Sequence, residues 1–264
     1  MKVICFEPAY SDKHRTVLRA FAEGAGAEIR PLSDGYVDCD IAVLFGGVKK
    51  SYEPTWAKQP ILDRHQGRSL IMIESAFQKR GEYWAVGFGG VAGNADFRSE
   101  GMTMDRWLGF DIPGRPWMVR PDGPVVVCGQ LIRDTQVQDV DHPKWCQETV
   151  NFLHQQGWPV LFRPHPKAAT HEEYGLNPGF IDERPLGAVL KEARCFLTWN
   201  STSAVDAVIY GVPVIVCHPS SISWPMGIHE LDPGSLIYHE REPWLAGLGF
   251  SMWNLDEMKA GLPW

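Results

Sequence analysis

The sequence predicts an α/β protein of two halves, each a parallel sheet covered by helices. Three observations carry this. Short apolar runs recur without polar alternation, the pattern of strands buried on both faces. Segments with helical periodicity and glycine stops separate them, so the order reads β-α-β. The alternation lapses towards residue 122, with Pro113, Gly114, Pro116 and Pro121, and restarts at Pro124.

Residues 2–6 read as a strand, 12–23 as a helix stopped by Gly24, and 27–30 as a short strand. A continuous apolar strand covers 40–45 and closes on Gly46 and Gly47. Residues 54–66 read as a helix and 69–74 as another apolar strand. The glycine- and aromatic-rich stretch 83–97 breaks the pattern. Its segment 87–93 lacks the G-x-G-x-x-G spacing and reads as a loop whose glycines let backbone approach a substrate. The stretch up to residue 122 reads as a linker or hinge.

In the second half, 124–128 is a strand, followed by a helix capped by Asp141 and running to Gln156, with Gly157 as its stop. Strands at 159–162 and 195–198 flank a helix at 185–193. A helix at 201–210 ends at Gly211, and 212–217 is a strand. Helical segments near 242–248 and 255–261 form a tail able to fold back. The halves are Rossmann-like, at 1–120 and 121–264.

At 264 residues, with 44% hydrophobic and 22% charged, the chain has the composition of a globular protein with a sizeable core. MKVICF moves straight into a strand-like run, so no signal peptide is expected, and no apolar stretch approaches the roughly 20 residues of a membrane span. Six scattered cysteines without a CxxC pair read as buried free thiols, which points to a reducing cytoplasm. The net charge of −7 is uneven: residues 1–120 hold 16 Lys/Arg against 15 Asp/Glu, and residues 121–264 hold 9 against 17. The acidic half argues against general nucleic-acid binding there, while the first half could present a basic face.

The strongest chemical signal lies in 159–218. One strand ends in RPHPK, displaying Arg163, His165 and Lys167; prolines on both sides of His165 keep the backbone extended. Arg163 offers a planar fork to phosphate oxygens and Lys167 a mobile charge. The next strand ends in Asn200, Ser201, Thr202 and Ser203 at a helix N-terminus. Such residues also serve as plain N-caps. Set opposite cations, they form a site for an anion such as a diphosphate. Gly129 and Gln130 end the first strand of the second half, at the sheet edge where a donor-binding loop or a simple turn would lie.

These clusters resemble the C-terminal donor domain of GT-B glycosyltransferases, most closely the capsule-polysaccharide and sialyltransferase-like group. RPHP (163–166), STS (201–203) and GVPVIV (211–216) match its HP motif, serine/threonine motif and following strand. By this resemblance Asp206 falls where an acidic residue, usually Glu, contacts the ribose. IESAF (73–77), GFGGVAGNADF (87–97), MDRW (104–107) and VVVCGQ (125–130) look like small glycosyltransferase-like proteins of tailed phages. The resemblance implies a metal-independent GT-B fold with two domains facing a cleft. It further implies a UDP-sugar co-substrate and no tightly bound cofactor. The acceptor it implies is a hydroxymethylated pyrimidine in phage DNA, which puts the protein in the host cytoplasm. A capsule or lipopolysaccharide glycan is the competing acceptor, and a nucleotide-sugar epimerase or a non-catalytic sensor the competing function.

Transfer to a hydroxyl with inversion needs a base. The candidates on the cleft side of the first half are Asp96, in the glycine-rich loop, and Glu74, at a strand end. The DxD pairs Asp38/Asp40 and Asp139/Asp141 read as structural, so no metal site is expected. Trp84, Trp107 and Trp117 could stack on a sugar or flipped base, or simply pack.

Overall fold

In the computed structural model, which describes residues 1–264, the chain divides into two units: Met1–Asp111 with Glu242–Trp264, and Ile112–Arg241. The first unit begins with β1 (Val3–Glu7) and α1 (Asp12–Ala25). Ser11 caps α1 by accepting the His14 N–H, and Gly26 closes it at φ 61°. Next come β2 (Glu28–Pro31), β3 (Ile41–Phe45), the short α2 (Gln59–Leu62), β4 (Leu70–Ser75), β5 (Trp84–Phe88) and α3 (Asp105–Leu108).

The second unit contains β6 (Val125–Cys128), α4 (His142–Gln155), β7 (Val160–Arg163), α5 (Leu186–Leu190), β8 (Cys195–Thr198), α6 (Ser203–Tyr210), β9 (Val214–Val216) and β10 (Gly227–Ile228). The chain then returns to the first unit with α7 (Glu242–Ser251), β11 (Met252–Trp253) and α8 (Leu255–Lys259).

The first sheet has the order β11-β5-β4-β3-β1-β2. Its strands β1 to β4 are parallel, while β5 and β11 add antiparallel pairs at one edge. The second sheet, β10-β9-β8-β6-β7, is parallel throughout. Each central strand is buried on both faces, as in Ile4, Cys5, Val126 and Val127, all 0% exposed.

Several expectations are corrected. The helix expected at 54–66 is a 3-10 segment, Glu53–Lys58, followed by α2, because Pro54 and Pro60 interrupt regular bonding. The expected glycine loop at 87–93 is partly strand β5. A Cβ on Gly87 would lie 2.6 Å from that of Ala95, and one on Gly90 2.7 Å from the Asn94 carbonyl. Local packing therefore fills that space.

The expected hinge is also tied down: Arg115 N–H bonds the Ile209 carbonyl (2.9 Å), Met118 N–H bonds that of Gly211 (2.7 Å), and Arg115 covers the Tyr210 ring. The division falls after Asp111, where 120/121 was expected, and the tail joins the first unit. There β11 pairs with β5, and α8 packs on α1 so closely that a Cβ on Gly24 would lie 1.9 Å from the Met258 carbonyl. Gly24 therefore lies inside α1, not at its stop.

Candidate functional site

The strand ends of the second unit open on one edge of its sheet, since β7, β6, β8 and β9 run parallel in adjacent positions. Cys128 at the end of β6 is paired with Arg163 on one side and Thr198 on the other. Backbone bonds extend the alignment, from Gly129 N–H to the Arg163 carbonyl (2.9 Å) and from Cys217 N–H to that of Thr198 (3.0 Å). RPHPK, Gly129–Gln130 and Asn200–Ser203 thus leave the sheet side by side. Two interstrand spacings, about 10 Å, separate the outer pair.

The side chains converge further. Arg163 and Ser203 both lie within electrostatic reach of the Cys128 thiol. Burial pushes that thiol up to about 11; Arg163 and Ser203 oppose the shift and Asp206 adds to it, so Asp206 lies within electrostatic reach. Arg163 Nε is buried with no protein partner. An unsatisfied buried N–H is costly, and a bound anion would satisfy it.

His165 Nδ1 accepts the Lys167 N–H (3.1 Å), which puts the proton of a neutral ring on Nε2 and makes that nitrogen a donor. Its own N–H donates to Tyr174 Oη (3.3 Å), while Lys167 is exposed. A cavity of about 280 Å³ is lined by residues of 163–171, including Arg163, His165 and His171, together with Glu183. No residue of α6 lines it.

Other expected residues form the framework. The Gln130 side chain donates to Asn200 Oδ1 (2.9 Å) and accepts the Asn200 N–H (3.3 Å). Asn200 Nδ2 donates to the Gln136 carbonyl (2.9 Å) and to Ser220 Oγ (2.8 Å). Both side chains are thus engaged by protein and tie the loops together. Gly129 is demanded by packing, since its Cβ would lie 2.7 Å from the Phe162 ring and 2.8 Å from the Tyr174 ring.

The helix begins at Ser203, two residues later than expected. Ser201 Oγ accepts the Ser203 N–H (3.2 Å), the Ser201 carbonyl that of Ala204 (3.1 Å), and the Thr202 carbonyl that of Val205 (3.0 Å). These opening-turn amides are therefore engaged locally. Arg163 Nε, by contrast, is a buried donor at this edge without a protein partner.

Two residues escaped the sequence reading. His218 follows β9, stacks on Trp199 (5.2 Å, 22°), and its Nδ1 lies 2.6 Å from Ser220 Oγ. Tyr174 Oη bonds the Gln130 carbonyl (2.8 Å) and so joins the HP loop to β6. The His218 signal was present in the sequence: CHP at 217–219 is a second His-Pro after a strand. Tyr174 left no comparable mark.

The two candidate bases of the first unit lie at opposite ends of one strand. Glu74 sits at the carboxyl end of β4. Asp96 bridges Phe88, which pairs with Ile71 near the start of β4. Asp96 is half-exposed, its Oδ1 accepts the Arg98 N–H (2.8 Å), and its Oδ2 is 3.8 Å from Arg68. Doubly wound sheets bind ligands at the carboxyl edge, which is where Glu74 lies.

Asp40 accepts the Lys2 N–H (2.6 Å) and Asp141 caps α4, both structural uses. Trp84 and Trp107 are buried in the core, and Trp117 Nε1 donates to the His239 carbonyl (3.0 Å), so packing accounts for all three.

No protein-family model matches this chain, and no curated protein matches it by sequence. Among solved structures it is similar to the β-Kdo 2,7 transferase of Thermosulfurimonas dismutans KpsC, with a TM-score of 0.58 and 12% identity over 99% of this chain and 98% of that one. It is also similar to the β-Kdo 2,4 transferase of the same KpsC, with a TM-score of 0.60 and 13% identity over 94% and 90%. The chain therefore has the GT-B-like α/β fold of capsule-type glycosyltransferases.

Proposed function

We propose that the protein is a glycosyltransferase that holds a nucleotide sugar at the carboxyl edge of its second sheet. One observation carries this reading: the buried Arg163 Nε lacks a protein partner, at the same sheet edge from which Asn200–Ser203 emerge. Beside it the Nε2–H of His165 is a further donor. These groups suit the phosphates of the donor, a UDP-sugar in the first instance. Lys167 supplies mobile charge, Ser201 and Thr202 lie at the opening of α6, and the resemblance assigns the ribose to Asp206. Gly129, Gln130 and Asn200 shape and brace the edge.

As base we propose Glu74 over Asp96, on the position of each along β4. It takes the acceptor hydroxyl proton as the acceptor oxygen bonds the anomeric carbon, and the nucleotide leaves with the electron pair. No protein-bound metal or tight cofactor is invoked.

For the acceptor we propose a glycan hydroxyl. The two solved structures described above are named as Kdo transferases. A hydroxymethylated base in phage DNA drew support from the less acidic first half. With residues 242–264 included, the first unit holds 15 Lys/Arg against 18 Asp/Glu, and that support disappears. Six free thiols fit a cytoplasmic location.

The test measures binding of a panel of nucleotides and nucleotide sugars by calorimetry. Arg163→Ala and His165→Ala should each weaken binding by about 1.5–3 kcal/mol, the range for a charged hydrogen bond. Unchanged affinity in folded variants refutes the site. Mass spectrometry of products then separates transfer to oligosaccharides, transfer to hydroxymethylated DNA, and acceptor-independent nucleotide release, the mark of an epimerase. Binding without turnover on any acceptor points to a sensor. Glu74→Gln should slow transfer by roughly 100-fold or more with donor binding intact, whereas Asp96→Asn should leave the rate near wild type.

A further inference from the structure

Lys58 is 2% exposed, at the end of the 3-10 segment that follows β3. Its Nζ donates to three backbone carbonyls at the carboxyl end of that strand: Phe45 at 2.6 Å, Gly46 at 3.0 Å and Gly47 at 3.1 Å. An ammonium has three N–H donors, and all three are used. A neutral amine would have two donors and would turn a lone pair towards the third carbonyl, so this bonding requires the charged form. Burial works against it and lowers the Lys58 pKa to about 8, while Glu74 opposes the shift.

A carboxylate lies close by. A Cβ on Gly46, which has φ 64°, would lie 3.6 Å from Glu74 Oε2 and 3.8 Å from Lys58 Nζ, so both charged groups border this glycine. The Tyr10 ring is 5.9 Å from Nζ. His14 of α1 stacks on Phe45 at 3.9 Å and is held neutral, its pKa lowered to about 4 by burial and then by Lys58 and Lys13.

We propose that Lys58 is a positioning residue, clamping the Gly46–Gly47 turn while its ammonium attracts the Glu74 carboxylate and helps to position it at the sheet edge. Its catalytic consequence rests on Glu74 being the base of the proposed transfer. The clamp itself and its coupling to Glu74 do not.

Two measurements on the full chain test this. Nitrogen-15 NMR of the lysine side chains follows the Lys58 titration in wild type and in Glu74→Gln. The midpoint is expected near 8 in wild type and lower in the variant, because the opposing carboxylate is gone. Equal midpoints overturn the coupling. Kinetics of Lys58→Met should show kcat reduced by roughly 100-fold with the donor KM within about twofold, and Lys58→Arg should recover part of the loss. An unchanged kcat in Lys58→Met, or a loss confined to KM, overturns the positioning role. If Lys58→Met does not fold, or if wild type transfers no sugar, the titration alone decides. In the second case the functional reading fails separately from the clamp.

Discussion

His142 illustrates how much of this protein is decided one side chain at a time. It is 0% exposed, its Nε2 accepts the Gln130 N–H (2.9 Å), and its Nδ1 is buried without a partner. Burial lowers its pKa from 6.5 to about 4, and the acceptor bond likewise needs the neutral ring. As the pH falls from 6.5 towards 4, the unfolded chain takes up a proton that the folded chain resists. Stability is therefore fully present above 6.5 and lost on acidification, by up to about 3 kcal/mol from this group. His14 acts in the same direction in the first unit. Urea unfolding followed from pH 7 to pH 4 should show the decline, and His142→Gln, whose amide oxygen can accept the same bond without titrating, should flatten it. An equally steep decline in that variant would remove His142 from the account. Because His142 holds Gln130, and Gln130 holds Asn200, acid should also loosen the candidate donor edge.

At the level of elements, sequence and structure agree where burial alone sets the outcome and part where close packing does. The apolar runs at 41–45, 70–73, 125–128 and 195–198 are strands, because a continuous hydrophobic run has nowhere to go but a doubly covered sheet. The helix caps at Asp141 and Gly211 hold for equally local reasons. The opening of α6 falls at Ser203, two residues later than the sequence suggests, and the fold shows that Ser201 takes the Ser203 N–H, the capping use that such residues also have. Gly129 looked like a turn residue, yet it is the space into which Phe162 and Tyr174 pack. Gly129→Ala should lower stability by about 1–3 kcal/mol, the usual effect of overpacking, read as a lower urea midpoint. An unchanged midpoint would mean that the rings have room to retreat.

On the scale of the whole chain, the tail decides the composition of the first unit. Arg106 holds it there: its guanidinium bonds the carbonyls of Gly249 (2.7 Å) and Met252 (2.6 Å), pairs with both oxygens of Glu257 (2.7 and 2.8 Å), and covers Trp253 at 4.0 Å. Arg106→Ala should release β11 and α8 and leave the Glu257 carboxylate without its fork. Faster hydrogen exchange over 252–259 and earlier proteolysis near 242 are the expected signs. Exchange unchanged from wild type would show that strand pairing with β5 suffices. MDRW could be quoted from the sequence as a motif, but its arginine's partners lie more than 140 residues away, so only the fold shows what it does.

What the amino-acid order determined by itself is local: which runs form strands, where caps and stops fall, and that RPHPK and the NSTS cluster each follow a strand. Those outcomes depend on neighbours a few residues apart, through burial, periodicity and backbone freedom. Which clusters share an edge, that Glu74 and Asp96 part to opposite ends of β4, that Lys58 is buried against three carbonyls, and that the tail belongs to the first unit were decided by strand order and long-range packing. Contacts across 100 residues or more leave no periodic trace in a single sequence, because either partner alone reads as an ordinary polar or apolar residue.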